Sequence, residues 1–313
     1  MANNNKKLLR FDGRTAIVTG AGAGCGREYA LLLAKRGAKV VINDISQQSA
    51  QHTADLISKA GGVSTICIAS VAELGTAKKL VDLTIKEYGR IDIIINNAGN
   101  FLTTPFESYT EDQFRLVMAS HFEGAWLLTQ KAWPHMQKQG YGRILNVSSS
   151  SIVGLDNMAA YAAAKGAVLG FSNALAVEGK QYGIQVNALA PGAFTPMLQG
   201  TLTDLELQKT LKALMPAWAV APVAAWLVHE DCGRTGDFVM ATGASFCQVF
   251  LGETLGVSSE QDIYTPEFVR DFYAESEDRT GFKVSKNIME QSASANARAR
   301  GELKPFKTLK DRS

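Results

Sequence analysis

The stretch that decides the fold is residues 15–37, TAIVTGAGAGCGREYALLLAKRG. A short β-branched run, TAIVT, breaks into glycines at 20, 22, 24 and 26 and then into a helix-length segment. Glycine alternation alone marks only a turn. Glycines set between a strand and a helix mark a place where backbone must turn sharply and let a diphosphate approach with no Cβ in the way. The helix start then offers free N–H groups and a partial positive charge to that anion. Gly20, Gly22, Gly24, Cys25 and Gly26 are therefore expected at a dinucleotide. The next apolar run, KVVIND (39–44), ends on Asp44, 18 residues after Gly26. A carboxylate there can accept from both hydroxyls of an adenosine ribose and repels a 2′-phosphate, which favours NAD over NADP. No Lys or Arg stands between Ala21 and Cys25, in agreement.

Five more runs of this kind follow: VSTICIA (63–69), IDIIIN (91–96), RILNVS (143–148), IQVNALA (184–190) and DFVMAT (237–242). They are continuously apolar rather than alternating, as in strands covered on both faces. Helical segments separate them, several stopping on glycine, as GTAKKLVDLTIKEYG does. The pattern predicts an α/β fold: one Rossmann-type, doubly wound parallel sheet of about seven strands with helices on both faces. The catalytic domain is expected over 1–243. Residues 244–285, which still hold Phe246, Phe250, Tyr264, Phe268 and Phe272, are expected to pack on that domain or on a neighbouring subunit. Residues 286–313 are polar and aperiodic and are expected to form a mobile tail.

Of the 313 residues 46% are hydrophobic and 20% charged, which excludes a disordered chain, and a net charge of +2 gives no footprint for nucleic acid or an anionic membrane. Cys25, Cys67, Cys232 and Cys247 form no C-x-x-C pair and no metal-ligand spacing, so free thiols and no metal are expected. The start, MANNNKKLLRFDG, lacks the apolar core of a secretory signal, and KDRS at the end is not a Ser-Lys-Leu-type address. The expected compartment is the cytoplasm.

Chemistry is expected near the fourth and fifth strands. Two asparagines in NNAG (96–99) need partners in a buried strand end. Asn97 reads as a stitch between strands; backbone at Asn96, Ala98 and Gly99 is expected at the cofactor. Tyr161 and Lys165 are i and i+4, hence on one helix face, and Asp156 or Asn157 is placed to cap that helix. A free tyrosine, with pKa about 10, is only about 0.1% phenolate at neutral pH. A fixed ammonium and a cationic ring nearby would favour the phenolate, making Tyr161 an acid/base for an alcohol proton.

In this order, T-G-x-x-x-G-x-G, N-N-A-G, a serine at a strand end, Y-x-x-x-K and NALAPG resemble the short-chain dehydrogenase/reductase family. The resemblance implies that the serine polarises the reacting oxygen, that Tyr161 is the acid/base, and that Lys165 also holds the nicotinamide ribose. It sets Pro191, Gly192 and Thr195 against the nicotinamide. FDGRTAIVTGAG, QKAWPHMQKQGYGRI, VAPVAAWLVHEDC, GETLG and YTPEFVRD are similar to one branch, the dehydrogenase part of peroxisomal multifunctional enzymes of type 2. That branch oxidises 3-hydroxyacyl-CoA esters and is also called 17β-hydroxysteroid dehydrogenase. With no hydratase or carrier domain following, a stand-alone relative is expected. Three departures stand out. His121 replaces the family's asparagine and is expected either in a proton relay or as a packed core residue. Ala69 replaces an aspartate, leaving Ser70 or backbone for the adenine, and APG replaces the branch's Ala-Pro-Asn.

The catalytic serine lies within Ser148–Ser151. Thirteen residues back from Tyr161 is Ser148; alignment on the strand, GRILNVSS, gives Ser149. Loops absorb an insertion more easily than central strands, where one step flips every side chain, so Ser149 is preferred. The Met- and Leu-rich stretch 194–215, with Phe101, Leu102 and Phe106, suggests a bulky apolar substrate. A 3-hydroxyacyl-CoA or a hydroxysteroid leads, an aromatic or terpenoid alcohol follows, and a catalytically silent NAD-binding regulator is the rival of another class. Small residues along 159–170 and the family's habits predict a homodimer or homotetramer.

Overall fold

The computed structural model describes residues 8–200, 202–259, 265–300 and 302–303. Residues 1–7 of the stretch invoked against a secretory signal, all of the KDRS invoked against a peroxisomal address, and Tyr264 lie outside the described residues. In chain order the elements of the first compact unit, Met1–Gln248, are β1 (Thr15–Thr19), α1 (Gly24–Lys35), β2 (Lys39–Asp44), α2 (Gln47–Lys59), β3 (Val63–Ile68), α3 (Thr76–Tyr88) and β4 (Ile93–Asn96). There follow α4 (Glu111–Met118), a π turn (Ala119–Glu123), α5 (Gly124–Gln139), β5 (Gly142–Val147), α6 (Ala159–Gly179) and β6 (Ile184–Gly192). Then come α7 (Pro196–Gln199), α8 (Leu205–Leu214), α9 (Ala221–Leu227), β7 (Phe238–Thr242) and β8 (Ser245–Val249).

The strand order is β3-β2-β1-β4-β5-β6-β7-β8, and every pairing from β3 to β7 is parallel. The apolar runs owe their continuity to burial on both faces. Ala16, Val18, Val40, Ile42, Ile93 and Ile95 face one core with Tyr29 and Leu33 of α1. Ile17, Val41, Ile94, Ile144 and Val186 face the other with Leu80 of α3 and Leu128 and Met136 of α5. The seven expected strands are all present. The eighth, β8, was missed because SFCQV is exposed along its length and has no apolar run to read. It follows β7 after Gly243 and Ala244 alone, and a two-residue link permits only an antiparallel hairpin. The sheet thus continues past residue 243.

The order reverses between β1 and β4, and such a switch point is where a crevice opens at the carboxyl ends of strands. Three register pairs hold this seam, Ala16↔Ile93, Ile17↔Ile94 and Val18↔Ile95. Above them the Thr19 hydroxyl accepts from the backbone N–H of Asn97 and of Ala98, both at 3.0 Å. Asn97 Nδ2 donates to the Thr19 carbonyl at 2.9 Å. At Gly20, φ is +62°, which suits glycine. A Cβ on Gly26 would fall on the Gly20 carbonyl, so helix and strand meet backbone to backbone.

The second unit, Val249–Ser313, holds α10 (Pro266–Ser276) and α11 (Ile288–Ala299). Helix α11 lies within the stretch expected to form a mobile tail, of which residues 301 and 304–313 are outside the described residues. Asn287 caps it, accepting from Met289 and Glu290 N–H. Arg298 donates to the Glu253 carboxylate and to the carbonyls of Thr254 and Leu255. Glu253 and Lys283 also bridge backbone to backbone.

Gly26→Ala is expected to cost about 1–3 kcal/mol through overpacking, measured by urea unfolding. Gly233→Ala, where a new Cβ meets nothing within 4 Å and φ is not positive, serves as control and is expected to be neutral or slightly stabilising.

Candidate active site

At the switch point lies a cavity of about 610 Å³. Of the sequence-predicted residues it is lined by Gly20, Gly24, Cys25, Asp44, Ser70, Ala98, Gly99, His121, Ser149, Tyr161, Lys165, Pro191 and Thr195. Gly22, Gly26, Asn96 and Gly192 do not line it, and each has another task. Gly22 donates its N–H to Asp44 Oδ2 at 2.8 Å, and a Cβ there would sit 2.6 Å from that oxygen. Gly26 touches the Gly20 carbonyl, and Gly192 backs onto the Thr242 side chain. The Asn96 side chain points inward, donating to Asn146 Oδ1 at 2.8 Å and Thr129 Oγ1 at 3.1 Å, so it stitches β4 to β5 and α5. Asn97 and Asn100 border the cavity, as do Ile45, Val71, Leu116 and Ser120. Asn97 also stitches, as expected.

One end of the cavity joins an uncapped helix start to a carboxylate. Helix α1 begins with no side-chain cap and no acid in its first turn, so its leading N–H groups are free. The close glycine packing leaves them bare, a fit for a diphosphate. Beside them Asp44 accepts from Gly22 N through Oδ2 and from Ser46 N through Oδ1. Burial raises the Cys25 thiol to about 11, so it stays protonated here.

The other end carries the reactive side chains. Ser148 is buried, and its hydroxyl donates to the Lys165 carbonyl at 2.9 Å. Ser149 also lines the cavity, where it hydrogen-bonds Tyr161 and accepts from Ser151 N at 3.1 Å; both serines follow the end of β5 and border the same space. Lys165, fully buried on α6, donates to the Val147 carbonyl at 2.6 Å. Burial lowers its pKa to about 7. Burial also raises the Tyr161 phenol, which the hydrogen bond with Ser149 only partly opposes. The expected depression of Tyr161 by a fixed ammonium is therefore absent in the protein alone, because desolvation dominates and the ammonium faces Val147. Helix α6 also lacks its expected cap. It begins after Met158 with no side-chain cap, and Asn157, at φ +57°, turns its amide to Asp156.

His121 lies in the π turn between α4 and α5, a distortion no periodicity revealed. Burial, with Lys165 nearby, lowers its pKa to about 3. It is neutral at physiological pH, so a relay that works by titrating this ring does not fit.

The model of the short chain dehydrogenase family matches residues 14–206. The chain belongs to this family. Among its relatives is the peroxisomal multifunctional enzyme type 2 of Drosophila melanogaster, 37% identical over 93% of this chain and 50% of that protein. The solved structure of that full-length enzyme superposes with a TM-score of 0.78 at 33% identity, covering 95% of this chain and 51% of that one. The peroxisomal hydratase-dehydrogenase-epimerase of Saccharomyces cerevisiae is 36% identical over 83% of this chain and 29% of its own length. The chain thus spans about half or less of these relatives. A 7α-hydroxysteroid dehydrogenase solved with NADH and 7-oxo glycochenodeoxycholic acid aligns at a TM-score of 0.70 and 31% identity, covering 76% of this chain and 96% of its own. The protein is an oxidoreductase of this family. The cytoplasmic expectation is overturned: these fly and yeast relatives, and others from mouse and Dictyostelium discoideum, are peroxisomal enzymes.

Lys165 has its folded pKa below its unfolded value, so its ammonium costs stability. The cost is complete below about pH 7 and fades as pH rises toward 10.5. The melting temperature of Lys165→Met relative to wild type is therefore expected to be most favourable at pH 6 and to decline steadily by pH 9.5. A difference independent of pH would contradict a buried, titrating amine.

Proposed function

We propose that this protein transfers hydride between NAD and a secondary alcohol or ketone on a bulky apolar substrate. The observation that carries the proposal is one cavity with Ser149, Tyr161 and Lys165 at one end and a bare helix start beside Asp44 at the other. Bound NAD would supply the hydride acceptor and a cationic ring near Tyr161. In alcohol oxidation Tyr161 takes the hydroxyl proton, and in ketone reduction it gives the proton back. Ser149 donates to the reacting oxygen and holds it beside the phenol. Lys165 would hold the nicotinamide ribose, and its charge would stabilise the phenolate. Ala98, Gly99, Pro191 and Thr195 would border the nicotinamide half. Gly20, Gly24 and Cys25 would border the diphosphate, with Ser70 on the adenine side. Asp44, already aligned by two backbone donors, would accept from the ribose hydroxyls and disfavour a 2′-phosphate.

The substrate end is walled by Phe101, Leu116, Met197 and Leu198. Between the two leading substrates, the likeness to the multifunctional enzymes across nearly the whole chain favours a 3-hydroxyacyl-CoA ester. The hydroxysteroid reading draws support from the 7α-hydroxysteroid dehydrogenase. The setting consistent with the relatives is the peroxisome. A homodimer is further proposed across α5 and α6, where half-exposed Trp126 stacks on Phe171 at 4.9 Å and Gly166 and Gly170 leave open space.

Initial rates with NAD on a 3-hydroxyacyl-CoA and on a 17β-hydroxysteroid test the substrate; turnover of neither sends the search to aromatic or terpenoid alcohols. Tyr161→Phe is expected to lower kcat by about a hundred- to ten-thousand-fold. Unchanged turnover would sink the mechanism. Ser149→Ala should lose turnover, whereas Ser148→Ala should mainly lose about 0.5–1.5 kcal/mol of stability. Asp44→Ala should narrow the preference for NAD over NADP by about tenfold or more. Light scattering checks the dimer, and Trp126→Glu is expected to dissociate it.

A further inference from the structure

A buried imidazole at position 121 stands beside the proposed acid/base without any group to receive a second proton. Its ring meets the Tyr161 ring edge-on, with centroids 5.0 Å apart and planes at 86°. Nε2 lies 2.8 Å from the Asn100 carbonyl oxygen and 3.1 Å from the Asn100 backbone nitrogen, so in either tautomer it grips the Asn100 backbone. Nδ1 is buried without a partner. The tautomer with hydrogen on Nε2 leaves only a bare lone pair unsatisfied, which costs less than an orphaned N–H. A Cβ on Gly99 would collide with this ring, so Gly99 and His121 share one volume. The π turn supplies the displacement that brings position 121 against Gly99 and Asn100.

We propose that His121 is a positioning residue: its ring fills the slot left by Gly99, latches Asn100 and backs Tyr161. The cofactor-side wall Ala98–Asn100 and the phenol are thereby held as one piece. This rests on the reading of Tyr161 as acid/base and gives the ring a role that asparagine's smaller amide could not fill in the same way. The groups facing the ring are Asn100 from the β4 loop and Tyr161 and Lys165 from α6; only the lysine carries positive charge, and it opposes protonation.

The test uses the full chain with His121→Phe, His121→Asn, Gly99→Ala and the double variant Gly99→Ala/His121→Asn. NADH affinity is read by fluorescence titration, melting temperature is measured without cofactor, and the pH profile of kcat is recorded. His121→Phe keeps a ring but loses the latch. It is expected to weaken NADH several-fold with little change in melting temperature and no move in the pH midpoint. Gly99→Ala is expected to lower the melting temperature and weaken NADH by about tenfold, and adding His121→Asn should restore most of both losses. Losses that simply add would overturn the shared slot. A pH midpoint displaced in the His121 variants would overturn positioning in favour of a titrating relay, and His121→Phe with wild-type NADH affinity would leave the ring a mere core residue. Failure of the underlying reading looks different: wild type would bind no NADH, or Tyr161→Phe would retain turnover, while the melting-temperature cycle at positions 99 and 121 would still report on the slot.

Discussion

Helix α6 is fastened to the tip of β5 by two bonds at one residue. Lys165 sends its ammonium to the Val147 carbonyl and receives the Ser148 hydroxyl on its own carbonyl. Both groups are buried, so neither bond competes with water, and an amine kept from solvent must be satisfied or lose its proton. The position of Tyr161, one turn earlier on the same helix, follows from this fastening. The same burial gives Lys165 a pKa near neutrality and Tyr161 one above its free value. In the protein alone the Tyr161 phenol therefore stays protonated at neutral pH, and in the proposed mechanism a bound cation would bring the phenolate within reach.

Much of this was legible in the chain. Seven strands could be read because both faces of each are buried, and apolar residues must then be continuous. The glycine loop could be read because its context of strand before and helix after has one physical use. The choice of Ser149 over Ser148 came from the stiffness of a central strand; in the structure both serines line the cavity, Ser148 bonded to the Lys165 carbonyl and Ser149 to Tyr161. What escaped reading has equally physical reasons. Strand β8 is exposed along its length and leaves no apolar signature. Helix α11 buries only Ser294 and is held by a cap and by Arg298, neither of which produces a periodic stripe. The π turn shifts the helix by one residue without any composition to mark it. Asn96 and Asn97 divide the tasks of stitching and lining according to which way each side chain faces, which the sequence pair alone does not state.

The cavity is electrostatically sparse. Among its lining residues Asp44 carries the only carboxylate and Lys165 the only amine, at the two ends of a wall made otherwise of backbone, small residues and apolar side chains. Such an interior screens little, so each of the two charges acts with more than its surface strength. In the proposed mechanism, selectivity between nicotinamide dinucleotides would then depend on Asp44, held by two backbone donors, rather than on a balance of many groups.

The seam between β1 and β4 has a mechanical meaning. In the proposed mechanism, strands β1 to β3 would carry the groups for the anion and the sugar, and β4 to β6 those for proton movement. The gap between reacting atoms is therefore the sum of two rigid halves and one joint, and the joint is three register pairs with Thr19 as the pin above them. Shear at the joint would change it directly, and a hydroxyl that accepts two backbone N–H groups from the opposite strand's exit resists shear in both directions. A threonine far from the proton being moved thus sets the tolerance to which the whole assembly is aligned.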